Sequence, residues 1–410
     1  MFFSLKRKKN KPAEIYMDHA SGTAISPSIL NKMKPYFVEQ FYNPSALYSQ
    51  AVAVKTVISG SRKKVADILG VSSKEVFFVD GATEANNIAI LGTLKSFQKE
   101  HPKETPHIIT SSIEHASILQ VIQELEEQGH ARVSYLDVDE NGYVNHKQLR
   151  ELLAADTLLV SIGYVNGEIG TIQDIRAIAK TIRNYRKVHK TMYPYFHTDA
   201  VQAANYCSVS IPQLGIDMMS LNASKIYGPK KSGMLYVQNK ISMQPVFYGG
   251  GQEQGMRPGT ENVSAIVGMA EALSETQDIM DEEAQRLGML QLYMIASLKE
   301  SIPHVIFNAL AAKRIPNIVN ITLPHLSHEE IVLRLDAKGI MASVKSACKA
   351  GEDGDSHVIK AIAKSNRSTG SIRFSMGRET TKKNIDKVVI QMVQIVKNMN
   401  ETFEKYYTNM

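Results

Sequence analysis

Tryptophan is absent from this 410-residue chain, and cysteine occurs only at Cys207 and Cys348. No CxxC pair and no Cys/His group at zinc-finger spacing is present, which excludes a disulfide-stapled scaffold and a cysteine-held metal and points to a reducing compartment. No run of 18 apolar residues occurs, so no membrane-spanning helix is expected. The apolar start Met1 to Leu5 is too short for a signal peptide and precedes the charges instead of following them, so the chain reads as cytoplasmic. A strong excess of one charge is also missing. The net charge is +6, and five cations, Lys6, Arg7, Lys8, Lys9 and Lys11, lie in an N-terminal tail, which gives no groove for nucleic acid.

What is present is enough length for about two domains with cores of their own. We expect a basic tail over 1–14, a large domain over 15–275 and a small α+β domain over 276–410. Apolar positions Val54, Val57, Ile58, Val65, Ile68 and Leu69 repeat at helical spacing and stop at Gly70, a C′ signal. Val76-Phe77-Phe78-Val79 reads as a buried strand leading through Asp80-Gly81-Ala82-Thr83-Glu84 into a helix. Strands then alternate with helices from His107 to Tyr164, the signature of a mostly parallel sheet covered on both faces. The fold class is therefore α/β.

Polar clusters follow these strands, where parallel sheets bind ligands. They include Glu114-His115, Asn166-Gly167-Glu168, His197-Thr198-Asp199 and Gln202. Lys225 follows an apolar segment and precedes Gly228-Pro229, so its amine sits at a strand-to-loop edge, where it could form a Schiff base with an aldehyde cofactor. A solvated surface lysine is the alternative. The turn at Gly81 has neither P-loop nor dinucleotide-binding spacing, and is either a phosphate site at a helix N-terminus or only a tight βα turn. His115 and His197 suit helix caps or satisfied core histidines, and Asp199 a cap. Cys207 alternates like a strand residue and reads as a small buried hydrophobe. Cys348 sits in a glycine-containing polar loop between Lys345 and Lys349, whose charges favour a thiolate. Arg373 lies in a strand-like segment and suits a carboxylate, or else is a surface charge.

In this order the segments resemble the cysteine desulfurases, fold type I pyridoxal-phosphate enzymes of the aminotransferase class V group. The resemblance runs from Tyr16-Met17-Asp18 through Gly81-Ala82-Thr83-Glu84, Glu114-His115, Asn166-Gly167-Glu168-Ile169-Gly170, His197-Thr198-Asp199, Ser224-Lys225-Ile226-Tyr227-Gly228-Pro229-Lys230, Arg257-Pro258-Gly259-Thr260-Glu261-Asn262 and Ser346-Ala347-Cys348 to Arg373-Phe374-Ser375. It implies a seven-stranded, mainly parallel sheet in the large domain and a small domain carrying the catalytic cysteine.

The resemblance also implies roles. Lys225 holds pyridoxal 5'-phosphate as a Schiff base, His115 stacks on its ring, Asp199 pairs with the ring nitrogen and Gln202 bonds the ring oxygen. Ala82, Thr83, Asn222 and Ser224 hold the phosphate, with Thr260 from the partner subunit of a homodimer. Asn166 and Arg373 bind the substrate, L-cysteine. Cys348 takes its sulfur as a persulfide, alanine is released, and the sulfur passes to an acceptor protein, an iron–sulfur scaffold or a tRNA-thiolation protein. The chain departs from the family at Gly167, usually asparagine, at Ser224, often histidine, and in the cationic flanks of Cys348. The competing readings are a selenocysteine lyase or other class V lyase, and a non-catalytic cofactor-bound scaffold for partners.

Overall fold

The computed structural model describes residues 14–344, 356–363 and 371–407. Cys348 and its loop, and the basic tail up to residue 13, lie outside the described residues. Twelve strands are described: β1 (Ile15–Tyr16), β2 (Val76–Val79), β3 (His107–Ser111), β4 (Arg132–Leu136), β5 (Thr157–Ser161), β6 (Tyr195–Asp199), β7 (Met218–Asn222), β8 (Gly233–Val237), β9 (Ile306–Phe307), β10 (Ile318–Thr322), β11 (Ile340–Met341) and β12 (Ile372–Ser375). Seven form one sheet in the order β2-β8-β7-β6-β5-β3-β4. Only β8 runs against its neighbours.

Each central strand carries apolar residues on both faces, because helices cover both. Phe78, Ile109, Val160, Phe196, Met219 and Tyr236 join one core with Val54 and Ile58 of helix Ser49–Leu69, Ile178 of helix Ile175–His189 and Ile266 of helix Val263–Asp278. Their sequence neighbours Phe77, Ile108, Leu159, Tyr195, Met218 and Leu235 join the other, against helices Ala82–Glu100 and Ala116–Glu127. Full burial of each large apolar side chain contributes about 1.5–3 kcal/mol, so the two-sided pattern fixes the layers. Helix Ser49–Leu69 ends, as its sequence predicts, on Gly70 in the left-handed region at φ 71°.

The chain changes core at Ile279, between helix Val263–Asp278 and helix Met280–Ser301. Beyond it the antiparallel sheet β12-β10-β9 packs with helices Met280–Ser301, His328–Asp336 and Lys382–Tyr407 around a separate apolar cluster. Ile15 and Met17 belong to that cluster too, and β1 pairs with β11. The first described residues therefore pack with the C-terminal ones, with Asp18 to Ala20 still bonded to Ser375, and the chain reaches the large domain at Thr23, whose N–H donates to the Ser224 carbonyl. Among the described residues no helix is long and apolar enough to cross a membrane.

Candidate active site

The carboxyl ends of β2, β3, β5, β6 and β7 share one edge of the large sheet, and the segments leaving them enclose a cleft of about 180 Å³. Lys225 ends a single 3-10 turn after β7, with the Asn222 side chain accepting the Ser224 N–H at 3.2 Å and its hydroxyl at 3.1 Å. The lysine amine donates to the Ser21 carbonyl, and its own carbonyl accepts Asn205 Nδ2 at 2.6 Å. Lys225 is thus a half-buried residue of the cleft and not a solvated surface lysine.

Asp199, the last residue of β6, accepts the Val201 N–H on Oδ1 at 3.0 Å and Asn86 Nδ2 on Oδ2 at 2.8 Å. Each of its oxygens thus accepts an N–H, which fixes the orientation of the carboxyl group. His115 does cap helix Ala116–Glu127, as its simpler reading had it, and also lines the cleft. His197 does not line it; the ring is buried between the Ser161 and Ser220 hydroxyls at 2.9 and 3.0 Å, and burial pushes its pKa down to about 4. It is a satisfied core histidine.

Glu114 is buried against the cleft, taking the Ser111 hydroxyl on Oε1 at 2.5 Å and the Gly163 N–H on Oε2 at 2.9 Å. Burial outweighs both bonds and raises its pKa to about 7 from 4.5. The folded chain then binds this proton more tightly than the unfolded one, so stability contributed here falls as pH rises from 4.5 to 7 and the full loss persists above. Glu114→Gln is expected to remove that dependence. In melting curves from pH 5 to 8 the variant should gain on the parent by on the order of 2 kcal/mol. A gap independent of pH would show that Glu114 is not protonated in the fold.

At the phosphate end, Gly81 takes φ 135°, which a side chain resists, and β8 approaches so closely that a Cβ on Gly233 would meet Gly81 Cα at 2.7 Å. Helix Ala82–Glu100 therefore starts against Asn222 with no side-chain cap from Gly81, and Ala82 and Thr83 line the cleft. This suits an anion. Ser224 stands beside the cleft and braces Asn222. Thr260 is exposed outside it. Its segment is anchored by Arg257 to Asp80 and Glu84 at 2.9 and 3.0 Å, and by a two-pronged pair of Arg62 with buried Glu253, both contacts 2.6 Å.

At the other end Arg373 is only 2% exposed. Its strand β12 is buried along its whole length, so the arginine is not a surface charge. Nη2 donates to Asp18 Oδ1 at 2.8 Å and Ser21 Oγ at 2.6 Å, Nη1 donates to the Gly167 carbonyl at 2.9 Å, and Nε is buried without a partner among the described residues. Asn166 lines the cleft but uses its amide on the turn, donating to the Ile113 carbonyl and accepting from Glu168 and Ile169. Gln202 donates to the Ala20 carbonyl at 2.9 Å. Gly167 makes room for it: a Cβ there would lie 3.1 Å from Gln202 Cγ. Cys207 is buried but in a turn, not a strand, because the chain coils back after Ala200; burial pushes its thiol up to about 11.

The lysine, aspartate, histidine and arginine read from sequence thus meet in one cleft. Sequence reasoning missed Asn86 and Ser117, which hold the aspartate and the histidine, and, although it read the stretch from Asp18 to Ser21 as an active-site edge, it missed the pairing of those residues with Arg373. Asn86 left no distinct signal, since next to Asn87 it reads as one more polar residue in the first turns of helix Ala82–Glu100; only its burial marks it.

The family model described as aminotransferase class-V matches residues 15–388. A relative named cysteine desulfurase IscS, from Clostridium botulinum, is 37% identical, covering 97% of this chain and 98% of its own. A solved structure described as a NIFS-like protein superposes with a TM-score of 0.85 at 29% identity, covering 94% of this chain and 100% of that one. Another, described as SspA in complex with cysteine, gives 0.72 at 30% identity, covering 89% and 99%.

Proposed function

The chain belongs to the aminotransferase class-V family, and we propose that it is a pyridoxal-phosphate-dependent cysteine desulfurase converting L-cysteine to L-alanine with transfer of sulfur to Cys348. The observation that carries the reading is the convergence of Lys225, Asp199 and Arg373 on one cleft beside an uncapped helix N-terminus. The residues fit the cofactor: Lys225 for its aldehyde, Asp199 for the ring nitrogen, Gln202 for the ring oxygen, Ala82, Thr83, Asn222 and Ser224 for the phosphate. When bound, pyridoxal phosphate supplies an electron sink for the bonds at the substrate Cα.

The chain's own groups do the rest. Arg373, which lines the cleft, orients the substrate carboxylate, with Asn166 shaping the turn alongside. Lys225 and His115 hold and move protons at Nζ and Nε2. The Cys348 thiolate attacks the substrate sulfur; a sulfur–sulfur bond forms, the carbon–sulfur bond breaks, and the carbon fragment takes up a proton and leaves as alanine. The persulfide then passes to an acceptor protein, for iron–sulfur assembly or tRNA thiolation. Work with thiols suits the reducing cytoplasm.

A homodimer fits two features. Exposed Thr260 is held outward by the Arg257 and Glu253 anchors, ready for a second copy's phosphate site. Large apolar side chains stand in solvent at Phe37, Val38, Phe41 and Leu47, the last 96% exposed.

Asp199→Ala is expected to lower kcat by roughly 10²–10³-fold, the usual cost of one preorganised electrostatic partner, with Asp199→Glu retaining more activity. Steady-state kinetics at saturating cofactor test this. Parent-like turnover in Asp199→Ala would reduce the residue to a structural cap and remove the reading's main support.

A further inference from the structure

Between Asp199 and His115 lies a hydrogen-bond chain in which Asn86 donates both ways, to Asp199 on one side and toward His115 through Ser117 on the other. Asn86 is fully buried. Its Nδ2 donates one hydrogen to Asp199 Oδ2 and the other to Ser117 Oγ, both at 2.8 Å. The amide cannot be turned round, because a carboxylate only accepts. Ser117 Oγ, already accepting from Asn86, lies 2.8 Å from His115 Nδ1, and that nitrogen also accepts the Ser117 backbone N–H at 3.1 Å. Nδ1 therefore carries no proton, and the Ser117 hydroxyl must donate to it. The neutral ring is the Nε2–H form.

We infer that Asn86 and Ser117 are positioning residues that orient the Asp199 carboxylate and hold His115 as a neutral imidazole protonated on Nε2, tying the two cofactor-facing groups into one hydrogen-bonded unit. The inference rests on the proposed roles of those two residues. Asn86 Oδ1 is buried with no partner among the described residues, a cost that an apolar side chain of similar size would avoid. The amide thus gives up one hydrogen bond to make two others. Protonating Nδ1 would require turning the serine hydroxyl away from it and losing the backbone bond as well. Among the described residues, Glu114, Glu168, Asp199, Lys225, His357 and Arg373 are the charged or titratable groups that share the cleft with His115. All stay in place in the variants below, so the change read is that of the chain alone.

The test is imidazole NMR on the cofactor-free full-length protein, with His115 assigned by comparison with His115→Gln. The parent should show the Nε2–H form. Ser117→Ala, which removes one donor into Nδ1 and keeps the backbone bond, should raise the His115 pKa by about half a unit to one unit. Ser117→Thr, which keeps the hydroxyl, should restore it. In the cofactor-loaded enzyme Asn86→Ala should lower kcat about five- to tenfold, one hydrogen bond's worth, with little change in KM for L-cysteine because Arg373 is untouched. An Nδ1–H ring in the parent, or identical His115 titration in parent and Ser117→Ala, would overturn the inference, whether or not Asn86→Ala folds. The expected NMR shift in a protein that does not desulfurate L-cysteine would instead leave the relay standing and remove the proposed reaction.

Discussion

Lys225→Ala is expected to lose covalently attached cofactor and to cut alanine formation by at least the roughly 10²–10⁴-fold that a positioned acid–base group contributes. The amine is the one primary amine lining the cleft among the described residues, and the Ser21 carbonyl and Asn205 amide hold the residue at its tip and its backbone. Among the described residues no neighbouring lysine replaces it: Lys230 and Lys231 lie beyond the Gly228-Pro229 turn and do not line the cleft. The loss should not come from unfolding, since the side chain removed is only half-buried, and far-ultraviolet dichroism should match the parent. Borohydride reduction of the parent with cofactor, followed by peptide mapping, should label Lys225. Label on any other lysine would refute the assignment.

Cys348→Ser is expected to lose persulfide and nearly all alanine while still binding L-cysteine, because the groups proposed to hold substrate and cofactor are unchanged. A serine hydroxyl is a far weaker nucleophile toward sulfur than a thiolate flanked by Lys345 and Lys349. Cys207→Ser should behave as the parent: that thiol is buried, and its pKa of about 11 keeps it protonated near neutrality. Full alanine release by Cys348→Ser would favour another lyase on the same cofactor.

The layered fold was legible because burial on both faces of the sheet leaves continuous apolar runs such as Val76-Phe77-Phe78-Val79, and because polar clusters follow them at one edge. Lys225, Asp199 and His115 were legible as members of that edge, and Arg373 as a carboxylate partner in a strand of the small domain. The long-range pairings that hold them were not. Asp18 and Ser21 meet Arg373 across more than 350 positions, and Asn86 meets Asp199 across 113; no local pattern encodes such pairings. The strand reading of Cys207 failed for a related reason: alternation over four residues cannot separate a strand from a coil of successive turns packed on a core. Gly167 read as a lost asparagine, yet only the fold places the Gln202 side chain against it.

The most direct test of the account is a single L-cysteine pulse given to the purified, cofactor-loaded parent, with alanine quantified and the sulfur located by mass spectrometry of intact peptides. The account predicts one added sulfur on the Cys348 peptide and one alanine released for each sulfur gained; sulfur on Cys207, or no alanine at all, would contradict it.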